Sequence, residues 1–378
     1  VALLLSVIAL AAWLYLAVFH GRFWRASPVL DSGVPSGTAS VAVIVPARNE
    51  AVHVQESIGS LLAQEYTGAF QVVLVDDNST DGTAQLAAAL GAGDRLSIVK
   101  GQTLPAGWSG KMWAVHQGLA HQSARAADFV LLTDADVTHA PDHVASLVAK
   151  AEHAELDLVS EMVRLNCTTL AERVLIPAFV FFFQKLYPFA WVNNPRKRTA
   201  GAAGGTMLLR RAALDAVGGV DRIRQRLIDD CALAAEIKHD RGRIWLGHSE
   251  RAVSMRVYAE ARDVWNMIAR TAFEQLGRSV LMLAGCLAGM VLLYFVPVAL
   301  AVTAHGMVRW FALAAWLLMA LSFQPTLRRY RRSLLWGVAL PGIAAFYICA
   351  TVDSAVRYYR GHGGGWKDRV YSERRSSF

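Results

Sequence analysis

The sequence predicts an α/β domain, a mostly parallel sheet with flanking helices, joined to transmembrane helices on its N-terminal and C-terminal sides. Three observations predict it. Short apolar runs at residues 41–45, 71–75, 96–99 and 129–133 alternate with helical patterns between about residues 40 and 165. Near-continuous apolar strands of this kind belong to parallel sheets covered on both faces. Polar residues follow three of these runs: Arg48-Asn49-Glu50, Asp76-Asp77 and Asp134-Ala135-Asp136. In such sheets ligands bind beyond the carboxyl ends of the strands. Finally, residues 1–19, 280–304, 310–327 and 333–352 carry no charge. A helix of about 18–20 apolar residues is enough to cross the hydrocarbon core of a bilayer.

Composition agrees. Of 378 residues, 54% are hydrophobic and only 18% charged, an apolar excess that points to a catalytic-sized domain with membrane segments. The run at 1–19 has no basic stretch before it, and Arg22 and Arg25 follow it, so it reads as an uncleaved anchor rather than a signal peptide. Residues 26–39, rich in Pro, Gly and Ser, read as a linker. The expected organisation is an anchor at 1–25, that linker, a cytoplasmic domain at 40–279, membrane segments at 280–356 and a basic tail at 357–378.

The formal charge is +8, much of it beside the apolar runs: Arg22 and Arg25, then Arg328, Arg329, Arg331 and Arg332, then Arg369, Arg374 and Arg375. Basic residues beside spans favour the cytoplasmic side, which places the large middle region inside. Three full C-terminal spans would leave the tail outside. A re-entrant segment interrupted at Pro341-Gly342 keeps it inside. No nucleic-acid module is present. The cysteines Cys167, Cys231, Cys286 and Cys349 are scattered and suggest neither zinc nor a disulfide framework. The sequons at Asn78 and Asn166 are chance matches if this region is cytoplasmic. Residues 174–191 are apolar and aromatic but broken by Pro177, Lys185 and Pro188. They read as an interfacial or buried helix rather than a span.

Chemistry concentrates at the strand ends. Two adjacent acids after a buried strand, Asp76 and Asp77, are costly without a partner, and Asp77 suits ribose hydroxyls or a base N–H. Asp81, in the turn Asn78-Ser-Thr-Asp-Gly82, suits turn and capping work. Asp134 and Asp136 bring two carboxylates near one point. That pair fits a hard cation, Mg²⁺ or Mn²⁺, sharing oxygens with substrate phosphates. Asp229 and Asp230 open a helical pattern, where acids also favour the helix N-terminus. Asp230 is the candidate general base, with Asp229 beside it. Gly204-Gly205-Thr206, before an apolar strand, allows either close approach of an acceptor or a tight turn. Arg278 suits either a diphosphate or an ordinary flanking charge.

Together, Val45-Pro46-Ala-Arg48-Asn-Glu50, Val75-Asp76-Asp77-Asn-Ser-Thr-Asp-Gly82-Thr83, Thr133-Asp134-Ala-Asp136, Ile228-Asp229-Asp230-Cys231 and a degenerate Gln275-Leu-Gly-Arg278 resemble the family 2 glycosyltransferases of GT-A fold. With the apolar runs, the chain resembles the hopanoid-associated glycosyltransferases of bacteria, relatives of ceramide glucosyltransferase, over nearly its whole length. The resemblance implies a Rossmann-like GT-A sheet and an inverting hexosyltransferase at the inner membrane. It implies a nucleotide-sugar donor, commonly a UDP-sugar, and a lipid acceptor. By motif it assigns Pro46, Arg48, Glu50, Asp77, Lys111, Asp134, Gln275 and Arg278 to the donor, Asp136 with Asp134 to the metal, Asp230 to the base, and Gly204, Gly205 and Thr206 to the acceptor side. Two positions depart: Ser279 stands where the family motif carries Trp, and Asp229 where many relatives carry Glu. The first argues against a processive polysaccharide synthase. A catalytically inactive scaffold would have no use for these acids. A nucleotidyltransferase would carry a Gly-rich basic loop after its first strand, and Ala47-Arg-Asn-Glu-Ala51 is not one.

Overall fold

The computed structural model describes residues 1–361 and, beyond them, the backbone of two short antiparallel strands, Gly365–Trp366 and Arg369–Val370. Side chains of the basic tail, Arg369, Arg374 and Arg375 included, lie outside the described residues.

One eight-stranded sheet organises the chain. Its strands are β1 (Val41–Ala47), β2 (Phe70–Asp76), β3 (Leu96–Lys100), β4 (Phe129–Thr133), β5 (Val137–His139), β6 (Leu158–Arg164), β7 (Thr206–Arg210) and β8 (Ile244–Ser254). The spatial order is β3-β2-β1-β4-β7-β6-β8-β5. The first four neighbours are parallel. β7 is antiparallel to β4 and β6, β8 is parallel to β6, and β5 closes the edge antiparallel to β8. The expected parallel sheet is thus present as a mixed sheet with a parallel half.

Alternation along the strands splits their side chains between two cores. Val41, Val43 and Val45 pack with Val72, Leu74 and Leu131 on one face, against the helices Val54–Leu62 and His143–His153. Ala42, Ile44, Val73, Val75 and Leu132 face the other side, with Met112 and Val115 of the helix Gly110–Leu119 and Ile176 and Phe181 of the helix Leu170–Leu186. Both faces are dry, which is why these strands read as unbroken apolar runs.

Register then gathers the polar ends. Ala47 lies opposite Asp76 in the β1–β2 pair, and Ile44 opposite Leu132 in the β1–β4 pair. Thr133 pairs with Thr206 across the antiparallel β4–β7 contact. The carboxyl ends of β1, β2 and β4 and the amino end of β7 therefore share one edge.

Three helical segments among the described residues are long and apolar enough to cross a membrane: Leu170–Val192, Val280–Thr303 and Gly306–Arg329. The first was read from the sequence as an interfacial or buried helix interrupted at Pro177, Lys185 and Pro188. It carries Pro177 inside a continuous helix to Leu186, opened by a Thr169–Glu172 capping box, and half of its apolar window is buried in the protein. Conversely, the uncharged run at 333–352 is not among the three. It forms a short 3₁₀ turn, Leu334–Gly337, and the helix Leu340–Tyr359, which lies along the helix Ala261–Gln275 through Trp265 Nε1–H donating to Asp353 (2.7 Å) and Phe273 N–H to Ser354 Oγ (3.0 Å). The N-terminal helix, Ala2–Val18, is shorter, at 17 residues, and joins the same bundle. Its buried Trp13 donates to the carbonyl of Leu293 (2.8 Å). The two long apolar helical segments after Ser279 run in succession and return to the α/β region: Ser279 caps the first by accepting from Met282 N–H, and Arg329, ending the second, pairs with Glu250 of β8 (2.9 Å).

Candidate active site

At the shared edge, the loops after β1 and β2 are laced together by backbone and short polar groups. Asn49 and Asn78 adopt left-handed backbone (φ 51° and 54°), a conformation asparagine tolerates better than most residues. Asn49 Oδ1 accepts from Thr80 N–H (2.9 Å), and Asn49 N–H donates to Ser79 Oγ (3.0 Å). Arg48 Nη1 donates to the Asp77 carbonyl (2.6 Å). Asp81 accepts from Thr83 N–H and Oγ1–H and from Ala51 N–H (3.1, 2.6 and 2.9 Å), the turn work its position suggested. Asp77 is fully buried and 4.0 Å from Arg48 Nη1, and Glu50 is nearly so.

From this lip a cavity of about 580 Å³ runs inward. Lys111, Asp134, Asp136, Gly204, Gly205, Asp229 and Asp230 line its polar end. Lys111 sits in the first turn of the helix Gly110–Leu119, which Ser109 caps, and bridges Asp134 (3.0 Å) to Asp229 (3.4 Å). Burial works against its charge, but Asp134, Asp229 and Asp230 outweigh it and raise the ammonium's pKa. Asp136 pairs with Arg256 at 3.0 Å, and Arg256 also lies 4.0 Å from Glu50. Arg256 thus ties the lip to the cavity.

Asp229 and Asp230 begin the helix Asp229–His239. Asp230 accepts from Gly204 N–H (2.8 Å) and Cys231 N–H (2.7 Å). Burial first, and then the charge of Asp229, push its carboxyl up to about 6, against those two N–H groups and Lys111. A carboxylate held near that value is proton-free at neutral pH yet basic enough to accept a proton. A Cβ at Gly204 would sit in van der Waals contact, 3.4 Å from Asp230 Oδ2 and Lys111 Nζ.

The structure therefore brings together Lys111, Asp134, Asp136, Gly204, Gly205, Asp229 and Asp230, with Gln275 further along the same cavity. Thr206 is fully buried in β7 behind them, its hydroxyl donating to the Gly205 carbonyl. Pro46, Arg48, Glu50 and Asp77 lie at the lip rather than on the cavity wall. Arg278 is not brought to the cavity: it pairs with Glu274 (2.5 Å) and stacks on Tyr358 (5.3 Å). Gln275 Oε1 accepts from Tyr187 Oη–H (2.9 Å).

Sequence reasoning missed three groups. Arg256 follows β8 and carries no motif. Lys185 lines the far, apolar part of the cavity. A buried chain also runs behind the polar end: Glu161 Oε2 to His143 Nε2 (2.6 Å), His143 Nδ1 to His139 Nδ1 (2.8 Å), His139 Nε2 to Thr133 Oγ1 (3.1 Å), and Thr133 Oγ1–H to the Gly205 carbonyl (2.8 Å). His139 and His143 are four residues apart, a spacing that draws no notice without knowledge of the fold.

Among the described residues no three His, Cys, Asp or Glu side chains converge as a complete metal cage. Asp134 and Asp136 still suit a hard cation that takes its other ligands from phosphate oxygens and water, since such ions keep several non-protein ligands. Lys111 and Arg256 now stand against those two carboxylates.

Comparison with known proteins agrees with this geometry. Residues 42–218 match the sequence model of the family described as "Glycosyl transferase family 2". This region, just under half of the chain, is similar to family 2 glycosyltransferase domains. The 4,4'-diaponeurosporenoate glycosyltransferases of Staphylococcus aureus strains bovine RF122 / ET3-1 and USA300 are 35% and 34% identical over 101 residues, 26% of this chain. The match spans only 24% of those relatives' length. A solved mannosyltransferase, PcManGT from Pyrobaculum calidifontis in complex with GDP-Man and Mn²⁺, aligns over 94% of this chain and 99% of its own, with a TM-score of 0.59 and 20% identity. That likeness places this region and its helices in one known fold, of GT-A type.

Proposed function

We propose that this chain is an inverting glycosyltransferase that moves a hexose from a nucleotide diphosphate donor, a UDP-sugar, to a lipid acceptor at the cytoplasmic face of a bacterial inner membrane. The supporting observation is the cavity itself. One end is acids and Lys111; the other is Phe179, Phe182, Phe183, Met290, Leu293 and Tyr347. An amphiphile fits both ends only if its hydroxyl or acid reaches Asp230 while its hydrocarbon lies among the helices.

The nucleoside lies at the lip, with Asp77 accepting from it and Arg48 and Pro46 shaping the loop. Asp134 and Asp136 would hold Mg²⁺ or Mn²⁺, which when bound offsets charge on the departing diphosphate. Lys111 adds a fixed positive charge beside the same point. Asp230 takes the proton of the acceptor as its oxygen bonds to the anomeric carbon. The bond from that carbon to the diphosphate oxygen breaks on the opposite side, so the configuration inverts. Gly204 N–H and Cys231 N–H orient the Asp230 carboxylate, and Gly205 and Thr206 fix that loop.

For the acceptor, the sequence resemblance favours a hopanoid alcohol, and the S. aureus relatives' name favours an isoprenoid acid. The test is nucleotide release by the detergent-purified chain with Mn²⁺, over a panel of nucleotide sugars, with and without each lipid class. Lipid-stimulated UDP release that Asp230→Asn abolishes supports the reading. Absence of both release and donor binding with every sugar would sink it.

A further inference from the structure

Lys185 is the charge that the proposed transfer leaves unused. It stands in the last turn of the helix Leu170–Leu186 and lines the cavity among Phe182, Phe183, Leu293 and Tyr347, away from the acids. Its ammonium donates to Tyr294 Oη (2.9 Å) and lies 4.8 Å from the centroid of that ring and 5.4 Å from that of Phe182. Among the described residues it has no carboxylate partner.

A full charge in an apolar wall is costly unless an anion or several acceptors meet it. Two ring faces and the carbonyl end of its own helix, equivalent to roughly half a charge, meet part of the cost. An ammonium has three protons to donate, and Tyr294 takes one. No other hydrogen bond from this ammonium is made among the described residues, and Lys185 lines the cavity. Tyr294 is itself fully buried and wedged at right angles against Trp13, so the ammonium's support is fixed.

We propose that Lys185 is a specificity-determining residue that receives an anionic oxygen group, carboxylate or phosphate, carried by the amphiphile that fills the apolar end of the cavity. This rests on the reading of that cavity as the acceptor site. The hydrocarbon lies along Phe182, Phe183 and Leu293, and the anion meets Lys185 among them, Arg270 being the lining cation contributed by the helix Ala261–Gln275. An uncharged ester, or an acceptor alcohol with no anionic group besides its reacting hydroxyl, would leave the ammonium desolvated and unmatched.

The experiment uses the full chain in uncharged detergent and a fluorescent polyene fatty acid as the reporter. Hexadecanoate, hexadecyl phosphate and methyl hexadecanoate compete for it. The native protein is expected to bind the two anions at least tenfold more tightly than the ester, a difference that separates a charged group from mere chain burial. Lys185→Met, close in length, should bind all three alike, and Lys185→Arg should restore the preference. Equal competition by ester and anions in the native protein overturns the proposal even if no variant folds. So does an anion preference that survives in Lys185→Met. Nucleotide release is measured on the same samples: release without anion preference sinks this inference alone, and anion preference without release with any donor sinks the transferase reading alone.

Discussion

The two halves of the sheet are built by different rules. In the half β3-β2-β1-β4 every strand is parallel, and three of them, β1, β2 and β4, carry their polar residues immediately after them in sequence. In the half β7-β6-β8-β5 directions mix, and the residues that matter come from the amino end of β7, the loop after β8 and helices far away in the chain. The difference separates two tasks. The proposed donor end needs a few oxygens and N–H groups on rigid strand ends, which a local motif can specify. The proposed acceptor end needs more, a wall whose shape follows its ligand, and that wall is assembled from segments more than 150 residues apart, such as Lys185 and Tyr347.

The largest expected effect lies where the halves meet. Asp230→Asn keeps the shape and both backbone donors but cannot take a proton. Turnover should fall by about 10²–10⁴-fold with donor affinity unchanged, checked by nucleotide release and calorimetric titration of the donor. Full turnover would move the base elsewhere. The same residue sets a pH limb. Its carboxyl is raised to about 6, so below that pH it holds a proton and turnover should fall as pH drops through about 6. The sign for stability is opposite to that of an ordinary buried salt bridge. A carboxyl raised above its unfolded value favours the folded state when protonated, and that advantage is lost as pH rises from the unfolded value of 3.8 to about 6. Asp230→Asn should therefore melt on the order of a few degrees higher than the native protein at pH 8.

Asp136→Ala tests the donor half alone. It removes one of the two carboxylates proposed for the metal and leaves Arg256 without its 3.0 Å partner. Metal-dependent donor binding should weaken by about 10²-fold or more, while binding of hexadecanoate stays within twofold. Unchanged donor affinity with and without Mn²⁺ would remove the metal assignment.

Why one half was legible follows from these particulars. Asp77, Asp134 and Asp136 sit within two or three residues of an apolar run, so hydrophobic pattern and chemistry coincide in one short stretch. The turn role of Asp81 was readable for the same reason. Arg256 has no such neighbour: it reaches Asp136 because β8 lies antiparallel beside β5 with Ser254 opposite Val137, a pairing that no local signal announces. The sequence left the run at 333–352 open between a full span and a re-entrant segment because its uncharged stretch stops just before Asp353. The contacts of Asp353 with Trp265 and of Ser354 with Phe273 are what lay the helix Leu340–Tyr359 along another helix. At Pro177 the sequence suggested an interruption where the helix runs on, since a proline inside a helix is tolerated where neighbouring helices pack around it.

A smaller effect sharpens the link between the halves. Thr133 has one hydroxyl proton and gives it to the Gly205 carbonyl, so His139 Nε2 must carry a proton. Burial, with His143 beside it, holds the His139 pKa well below the usual value, so that ring is neutral and its Nδ1 accepts from His143 Nδ1–H. The Glu161–His143 pair must then hold one more proton between them. Glu161→Gln supplies an amide N–H in its place and should keep turnover within about threefold. Glu161→Leu leaves His143 unmet, which costs about 1–3 kcal/mol, and should lower both melting temperature and turnover. Equal loss in both variants would show that charge, not donation, is what the chain needs.

The smallest expected effect belongs to Arg278, and it is where motif and geometry disagree most. The family pattern would set this guanidinium on the diphosphate. In the structure it turns back on Glu274, four residues earlier, and lies over Tyr358. Its backbone is left-handed (φ 57°) at the point where the chain leaves the helix Ala261–Gln275 for the first apolar helix after Ser279. An arginine so held is a joint between the catalytic domain and its helices. Arg278→Lys keeps the charge but loses the planar stacking on Tyr358, and should change donor affinity by less than about threefold while lowering thermal stability. A loss of donor affinity beyond tenfold, with the melting temperature unmoved, would instead mean that Arg278 swings to the cavity once the donor is bound. The acceptor half would then supply a phosphate ligand to the donor half.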